Sequence, residues 1–247
     1  LEGILARDRI EVSRTTLASW MIRLGEMVAP LINLCHETQL AYDVLQMDET
    51  SVQVLKEDGR PATAKSYMWV RRGGPPRQRI ILFDYAPSRA GAIPMRLLDE
   101  YKGYLQSDAY SAYNAPAKRD GVIHVGCLDH ARRKFVEAVK AQHTVAGMEL
   151  IRYLEDGRIE ISNVLCENAL RPFVVGRKAW LFCDTPAGAH ASARLYSLVE
   201  TAKANGLNVY DYFKRVFTML PQATTLADVE ALLPWNVRRP ATQSVAA

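Results

Sequence analysis

Two aspartates follow short apolar runs and are candidates for metal-assisted chemistry. Asp48 comes after the run YDVLQM, and Asp108 comes after GYLQS. Such runs are typical of buried strands, and ligands of open α/β sheets collect at the carboxyl ends of strands. Two carboxylates on neighbouring strands repel each other, so their pairing usually implies a cation between them. Carboxylate oxygens suit Mg²⁺ or Mn²⁺, and two such ions can assist in-line displacement at a phosphodiester.

Each aspartate also has a structural interpretation. An Asp that follows a strand often caps the next turn or helix through its side chain. For Asp48 or Asp108 taken alone, this interpretation is the stronger one. The occurrence of two such residues favours the metal interpretation, and both stay open at this point.

A third carboxylate is expected from a helix, and Glu167 in the segment SNVLCENALRPFVVGRKAW is a candidate. Arg171 lies four residues further on, so a helical surface ion pair is the alternative. The apolar neighbours of Glu167 argue against an exposed surface. Spacing alone does not choose Glu167 over other acids of this half of the chain. These are Glu155, Asp156, Glu160 and Glu200.

The cysteines show no disulfide framework. Cys35, Cys127, Cys166 and Cys183 are scattered along the chain, which favours a reduced, cytosolic setting. Cys127-x-x-His130 has the spacing of two metal ligands. A closed structural zinc site needs four ligands, and no second CxxC or HxxxH motif supplies them, so the sequence disfavours structural zinc.

The elements that must position these residues begin with a helical lead-in. The pattern from Leu5 to Ile32 predicts helix, with Ser13 suited to capping it. A packed lead-in is favoured over a helix-turn-helix unit, because no compact three-helix pattern surrounds it. The apolar positions spaced i, i+3, i+4 and i+7 are Leu17, Trp20, Met21 and Leu24.

The middle of the chain alternates strands with helices, and the remainder is helical. A mixed α/β sheet flanked by helices is therefore the predicted fold class, with a helical lead-in and a helical C-terminal part. The predicted strands are 41–47, 51–55, 65–71, 79–85, 103–107 and 122–127. The predicted helices are one with Pro94 in its first turn, one over about 129–140, one that carries Glu167 after a cap at Ser162 or Asn163, 189–205 ended by Gly206, and 209–220.

Composition and charge set broad limits. Hydrophobic residues make up 49% and charged residues 23% of the 247 residues, as in ordinary globular proteins. No apolar run approaches the roughly 20 residues that span a membrane, and neither a P-loop nor a GxGxxG motif occurs. The net charge is +4, with basic clusters that can neutralise phosphates or form solvated helix faces. The clusters are Arg71–Arg72 with Arg77 and Arg79, 132–134, 171–178 and Arg238–Arg239.

Six sequence blocks together resemble the IS66 family of bacterial transposases, from about Ser13 to Asn236. In chain order they are LQMDETSVQVL, GYLQSDAYSAYN, GCLDHARRKFVEA, DGRIEISNVLCENALRPFVVGRKAWLF, ASARLYSLVETAKANG and LLPWN. The resemblance implies an RNase H-like fold with a DDE active site. It assigns Asp48, Asp108 and Glu167 as the catalytic residues and as ligands of two Mg²⁺ or Mn²⁺ ions.

The resemblance also implies DNA as the partner, both the element ends and the target. It implies a homo-oligomer on DNA and a bacterial cytoplasmic, nucleoid-associated protein without a membrane segment. The residues that the resemblance places near the DNA path are Arg132, Arg133, Lys134, Arg171, Arg177, Lys178 and Trp180. For the charged residues the alternative is ordinary surface charge that does not contact DNA, and for Trp180 it is packing in the core.

Three features depart from the family pattern. Against that pattern we expect the chain to lack the N-terminal region of the family and most of the helical insertion near 138–150, and the common form DNNxAERALRP is replaced by SNVLCENALRP. The expected organisation is a lead-in over 1–40, a catalytic domain over 41–220 and a partly disordered extension over 221–247. The shortened connection opens a second interpretation, an inactive remnant that only binds DNA or a transposase partner.

Overall fold

A five-stranded mixed sheet forms the centre of the fold. The computed structural model describes residues 2–108, 110–132 and 156–237. The strands are β1 (Val44–Gln53), β2 (Lys65–Gly73), β3 (Ile80–Ala86), β4 (Gly103–Ser107) and β5 (Val122–Gly126), in the order β3-β2-β1-β4-β5. β1, β2 and β3 pair antiparallel, whereas β4 and β5 run parallel to β1. The predicted fold class, a mixed α/β sheet flanked by helices, is confirmed.

The helices lie before, within and after the sheet segment. They are α1 (Glu2–Arg7), α2 (Arg14–Met27), α3 (Ala29–Leu40), α4 (Ala92–Leu97), α5 (described over 128–132), α6 (Val164–Trp180), α7 (Pro186–Ala204), α8 (Val209–Met219) and α9 (Leu226–Glu230). Ser13 caps α2 by accepting a hydrogen bond from the Thr16 amide, as the sequence predicts. Gly206 ends α7 with a φ of 71°, a conformation that glycine adopts at little cost. No helix of the described residues is long and apolar enough to cross a membrane.

The lead-in contains a break that the sequence pattern did not predict. Besides the interval between α1, which ends at Arg7, and the Ser13 cap, the predicted helix from Leu5 to Ile32 is divided at Val28, where α2 ends and α3 begins. Pro30 lies in the first turn of α3, where the missing N–H of proline is tolerated, whereas inside a continuous helix it would remove a hydrogen bond.

The buried side of α2 also differs from the predicted one. Trp20 and Met21 are each 49% exposed, whereas Gly25 is buried. Gly25 faces α7 so closely that an added Cβ would lie 2.7 Å from the Cα of Ala191. Close backbone packing at Gly25 therefore attaches α2 to the domain together with Leu24, which packs against the core as predicted, whereas Trp20 and Met21 do not.

The predicted end of the first strand at Asp48 is wrong. β1 continues to Gln53, and Asp48 lies in its middle, opposite Val70 of β2. β2 pairs with β1 from Leu45 to Gln53, so the backbone polar groups on that side stay satisfied beyond Asp48. The segments predicted as two strands, 41–47 and 51–55, therefore belong to one strand.

Helix α6 is packed on one face of the sheet by its own apolar side. Cys166, Leu170 and Phe173 are buried in a cluster with Val70 of β2 and Phe83 of β3. Burial of side chains of this size contributes about 1.5–3 kcal/mol each. The helix that carries Glu167 is therefore held by packing as well as by its chain connection.

The opposite face of the sheet has its own core. Leu45, Trp69 and Leu105 pack there with Leu97 and Tyr113, which come from α4 and the 3₁₀ turn over 111–114. Successive strand residues point to opposite faces, so Asp48 lies on the face that α6 covers and Glu49 lies on the face with Trp69 and Tyr113.

Candidate active site

Asp48 and Asp108 lie at matching positions on neighbouring parallel strands. The β1–β4 pairing ends with Gln46 opposite Gln106, and each aspartate follows two residues later. Asp108 comes directly after the last residue of β4, as predicted, while Asp48 lies where only the β2 side of β1 remains paired. The register therefore places both residues at the same edge of the parallel pair.

The electrostatics of Asp48 show that it shares its surroundings with other acids. The pKa of Asp48 is raised to about 7, chiefly by burial and in smaller part by the negative charges of Glu49, Asp108 and Glu167, while a hydrogen bond from the Glu49 amide to Oδ1 at 2.8 Å opposes the shift. The carboxylates of β1, β4 and α6 thus act on one another electrostatically. A raised carboxyl pKa indicates a site that favours a proton or a cation.

Asp108 is oriented by the turn that follows it. The Tyr110 amide donates to Asp108 Oδ1 at 3.0 Å, and the Ser107 hydroxyl donates to the Asp108 carbonyl. Asp48 accepts a local amide in the same way. The turn-capping alternative is therefore realised at Asp108 alone, since Asp48 lies within a strand, and a local amide orients each carboxylate without excluding a metal.

Glu167 lies in the first turn of α6, and Asn163 joins that turn to β1. The Asn163 side-chain amide donates to the Met47 carbonyl at 2.9 Å, one residue before Asp48. Asn163 is the N-cap residue, as the sequence allowed, but its side chain makes no capping hydrogen bond. Its contact with β1 could not be predicted, because it joins residues 116 positions apart.

Glu167 also approaches the CxxH motif. Its Oε1 lies 3.7 Å from Nδ1 of His130, and both side chains are about one-third exposed. Among the described residues, the group of Cys, His, Asp and Glu side chains whose ligand atoms all lie within 4.8 Å of one another is Cys127, His130 and Glu167. Cys127 and His130 are close in the sequence, whereas Glu167 reaches them only through the fold.

A buried network beside Asp48 was missed by the sequence analysis. Glu49 accepts hydrogen bonds from the Tyr113 hydroxyl at 2.5 Å and from Arg89 Nε at 2.6 Å. Burial raises the pKa of Glu49, and these two donors oppose that shift. The Arg89 guanidinium lies 3.6 Å above the ring of Tyr110, whose amide orients Asp108. No spacing signal marks this network, since its members meet only in the fold.

The residues expected near DNA have different surroundings. Arg171 and Lys178 are exposed on α6. Arg177 donates to the hydroxyls of Thr50 and Ser51 on β1, both at 3.2 Å.

Two further members of this set need separate description. Trp180 is partly buried, with its ring 5.4 Å from that of Phe173, a contact of the core-packing kind. Arg132 is exposed at the described end of α5. Arg133 and Lys134 lie outside the described residues.

One basic cluster is partly internal. Arg71 is only 2% exposed, pairs with Asp84 at 3.0 Å and donates to the Leu97 carbonyl. Arg72 donates to Gln46 at 2.9 Å. Arg71 therefore fits neither interpretation of the basic clusters, because it is an internal side chain whose partner on the adjacent strand β3 was not apparent from the sequence.

Comparison with known proteins provides the family. The sequence model described as "Transposase IS66 family" matches residues 1–150 and 146–191, and the "IS66 C-terminal element" matches 197–235. Two proteins of Sinorhizobium fredii, both called uncharacterized, are similar to the chain. Protein y4qI is 26% identical over 96% of this chain and 59% of its own length; y4jD is 23% identical over 94% and 61%. The chain thus spans about three-fifths of the length of these relatives.

The comparisons also bear on the predicted internal shortening. The alignment with y4qI extends over 317 residues, more than the 247 of this chain, so the relative carries residues that this chain lacks. The family match is divided into two pieces that meet at 146–150, within the region of the expected deletion and outside the described residues. The chain belongs to the IS66 family of transposases and is an internally shortened member of it.

Proposed function

We propose that this chain is a DDE-type catalytic domain that cleaves and joins DNA strands at the ends of an insertion sequence. The observation that carries the proposal is the β1–β4 register, which brings Asp48 and Asp108 to one edge of the sheet, together with the Asn163 contact that joins the first turn of α6, where Glu167 lies, to β1. Three acids from two strands and a helix act on one another at one edge of the sheet. In this proposal residues 41–220 form an RNase H-like catalytic domain, with which the mixed sheet is compatible.

The donor set of the three acids fits divalent cations. All donors are carboxylate oxygens, the ligands that Mg²⁺ and Mn²⁺ prefer. The cost of ionising Asp48 beside two other acids is the kind of cost that a bound cation offsets. When bound, two such ions would activate the attacking oxygen and stabilise the leaving oxygen of an in-line displacement.

The protein itself contributes positioning and charge. The sheet and the Tyr110 amide fix the aspartates, and the contact between Asn163 and Met47 sets the start of α6 relative to them. Arg171 and Lys178 on the exposed side of α6 can neutralise backbone phosphates of bound DNA. In this proposal the enzyme acts as a homo-oligomer on paired element ends, at the nucleoid of the bacterial cytoplasm.

A second candidate function is supported by the approach of Glu167 to His130 at 3.7 Å. If the Glu167 carboxylate stays beside His130 and cannot bind the same metal ions as Asp48 and Asp108, the chain is an inactive remnant that only binds DNA or a transposase partner. The shortened connection before α6 is where such a defect would arise. Displacement of a catalytic carboxylate by 1 Å can cost on the order of a hundredfold in rate.

A nicking assay distinguishes the two candidates. The substrate is a DNA fragment that carries the coding sequence of this chain with its natural flanks, incubated with the full chain and Mn²⁺. We expect nicks at the element ends from the parent protein and from D184N, a surface control at an exposed ion pair. We expect none from D48N or D108N, with DNA affinity retained. Retained Mn²⁺-dependent nicking in D48N or D108N would exclude that residue from catalysis, and DNA binding without nicking by the parent chain would favour the remnant.

A further inference from the structure

The end of β5, the start of α5 and the first turn of α6 bring together a thiol, an imidazole and a carboxylate. The ligand atoms of Cys127, His130 and Glu167 all lie within 4.8 Å of one another. We propose that these three side chains form a binding site for a transition metal ion of the Zn²⁺ class, separate in ligand chemistry from the all-carboxylate set.

The local geometry suits this use. Cys127 immediately precedes α5 and His130 lies in its first turn, so residues three apart face the same side of the helix. The ligand atoms of a tetrahedral zinc ion, at about 2.0–2.3 Å from the metal, lie roughly 3–4 Å from one another. The observed separations therefore require only a small movement of the His130 and Glu167 side chains, both of which are partly exposed.

The surroundings of Cys127 favour a metal-bound thiolate. The residue is 2% exposed, and its Sγ accepts a hydrogen bond from the backbone N–H of Asn163 at 3.2 Å. An amide that donates to sulfur stabilises negative charge there and orients the ligand, as partners outside the ligand set do in metal sites. The Ser162 hydroxyl lies 3.8 Å from the same sulfur and donates to Asp129. A buried thiol with such a donor differs from a thiol that is packed only among apolar side chains.

The ligand chemistry selects the class of metal. Thiolate and imidazole are ligands for zinc and its transition-metal neighbours, whereas Mg²⁺ is bound through oxygen. Three protein ligands leave a fourth position for water, the composition of an open zinc site rather than of a closed structural one. The four-ligand requirement that disfavours structural zinc from the sequence therefore does not apply to this site.

One consequence rests on the proposed function. Glu167 belongs to both ligand sets, so a zinc ion that engages it removes this carboxylate from Asp48 and Asp108. Zn²⁺ is then expected to inhibit Mn²⁺-dependent nicking at concentrations that fill the site. Metal binding itself does not depend on whether the chain cleaves DNA.

Cobalt binding to the full chain tests the site directly. Co²⁺ is added to protein freed of metal by a chelator, and the thiolate-to-cobalt charge-transfer absorption in the near ultraviolet is recorded. We expect one equivalent of Co²⁺ to produce this absorption and one equivalent of Zn²⁺ to abolish it. C127S should lose the absorption, E167Q should weaken Co²⁺ binding by about tenfold or more, and C183S, at another buried cysteine, should match the parent.

Two outcomes would overturn the proposal. One is the absence of charge-transfer absorption in the parent protein, and the other is an unchanged absorption in C127S. If circular dichroism shows that C127S does not fold, the rate at which a thiol reagent modifies Cys127 in the parent chain is measured with and without Zn²⁺. We expect Zn²⁺ to slow this modification, and an unchanged rate would overturn the site. Cobalt binding without nicking would contradict only the proposed function, and nicking without cobalt binding only this site.

Discussion

The two aspartates and the glutamate of the candidate active site are held in different ways. Asp48 and Asp108 extend from neighbouring strands whose register is fixed by backbone hydrogen bonds, and local amides orient both carboxylates. Glu167 lies on a helix that is attached to the sheet by its apolar face and by Asn163. The positions of the aspartates therefore depend on the sheet as a whole, whereas the position of the glutamate depends on a few side chains that single substitutions can remove.

The largest expected effect concerns the apolar attachment of α6. Phe173 is fully buried and contacts the rings of Phe83 and Tyr196. F173A is expected to lower the free energy of unfolding by about 3–5 kcal/mol, measured by urea denaturation. V175A, at a position 60% exposed on the same helix, should change it by less than about 0.5 kcal/mol. Equal effects of the two substitutions would show that α6 is not held by this face.

The next effect separates the glutamate from the aspartates. N163A removes the hydrogen bond to Met47 and leaves the strands unchanged, so it should loosen Glu167 alone. We expect Mn²⁺-dependent nicking to fall by on the order of a hundredfold. N208A, which removes a cap at α8, should lower stability by about 1 kcal/mol without a comparable loss of nicking. Equal nicking by N163A and the parent protein would contradict a positioning role for Asn163.

A smaller effect measures the cost of ionising the buried Asp48 carboxyl. The folded-state pKa of Asp48 is about 7, above its ordinary 3.8, so ionisation of Asp48 destabilises the metal-free fold as pH rises from about 4 to 7. D48N removes this cost, and at pH 8 in a chelator it should be about 1–3 kcal/mol more stable than the parent. The gain should vanish near pH 4, and added Mn²⁺ should stabilise the parent more than D48N. A pH-independent difference between the two proteins would show that Asp48 is not the titrating group.

The smallest expected effect concerns the exposed side of α6. R171A and K178A should each weaken DNA binding, uniformly across sequences, and reduce the slope of log K against log salt by about 0.9. R215A, on α8, is the matched control, because this arginine is also exposed but is not among the expected DNA-facing residues. An unchanged salt slope in both α6 variants would remove this face from the DNA path.

The sequence predicted those parts of the fold that local patterns determine. β4 has the predicted bounds 103–107, and Gly206 ends α7. The continuation of β1 past Asp48 was missed, because it depends on pairing with β2 and not on the β1 residues. The apolar pattern of α2 likewise did not show that Gly25 would be the point of contact with α7.

The candidate site was predictable to a similar degree. Matching strand ends predicted that Asp48 and Asp108 would lie on neighbouring strands, and the family resemblance supplied Glu167. The contacts of Glu167 with His130 and of Asn163 with Met47 join segments distant in the chain. No residue type or spacing predicts such contacts, so only the structure could identify them.

Anomalous diffraction from crystals of the chain soaked in Mn²⁺ tests the three-carboxylate site directly. We expect manganese coordinated by Asp48 and Asp108, with the Glu167 carboxylate turned from His130 to complete the ligand set. Such a result would show that the shortened chain retains the three-carboxylate site. Manganese absent from the two aspartates, with Glu167 still beside His130, would contradict a three-carboxylate metal site in this chain.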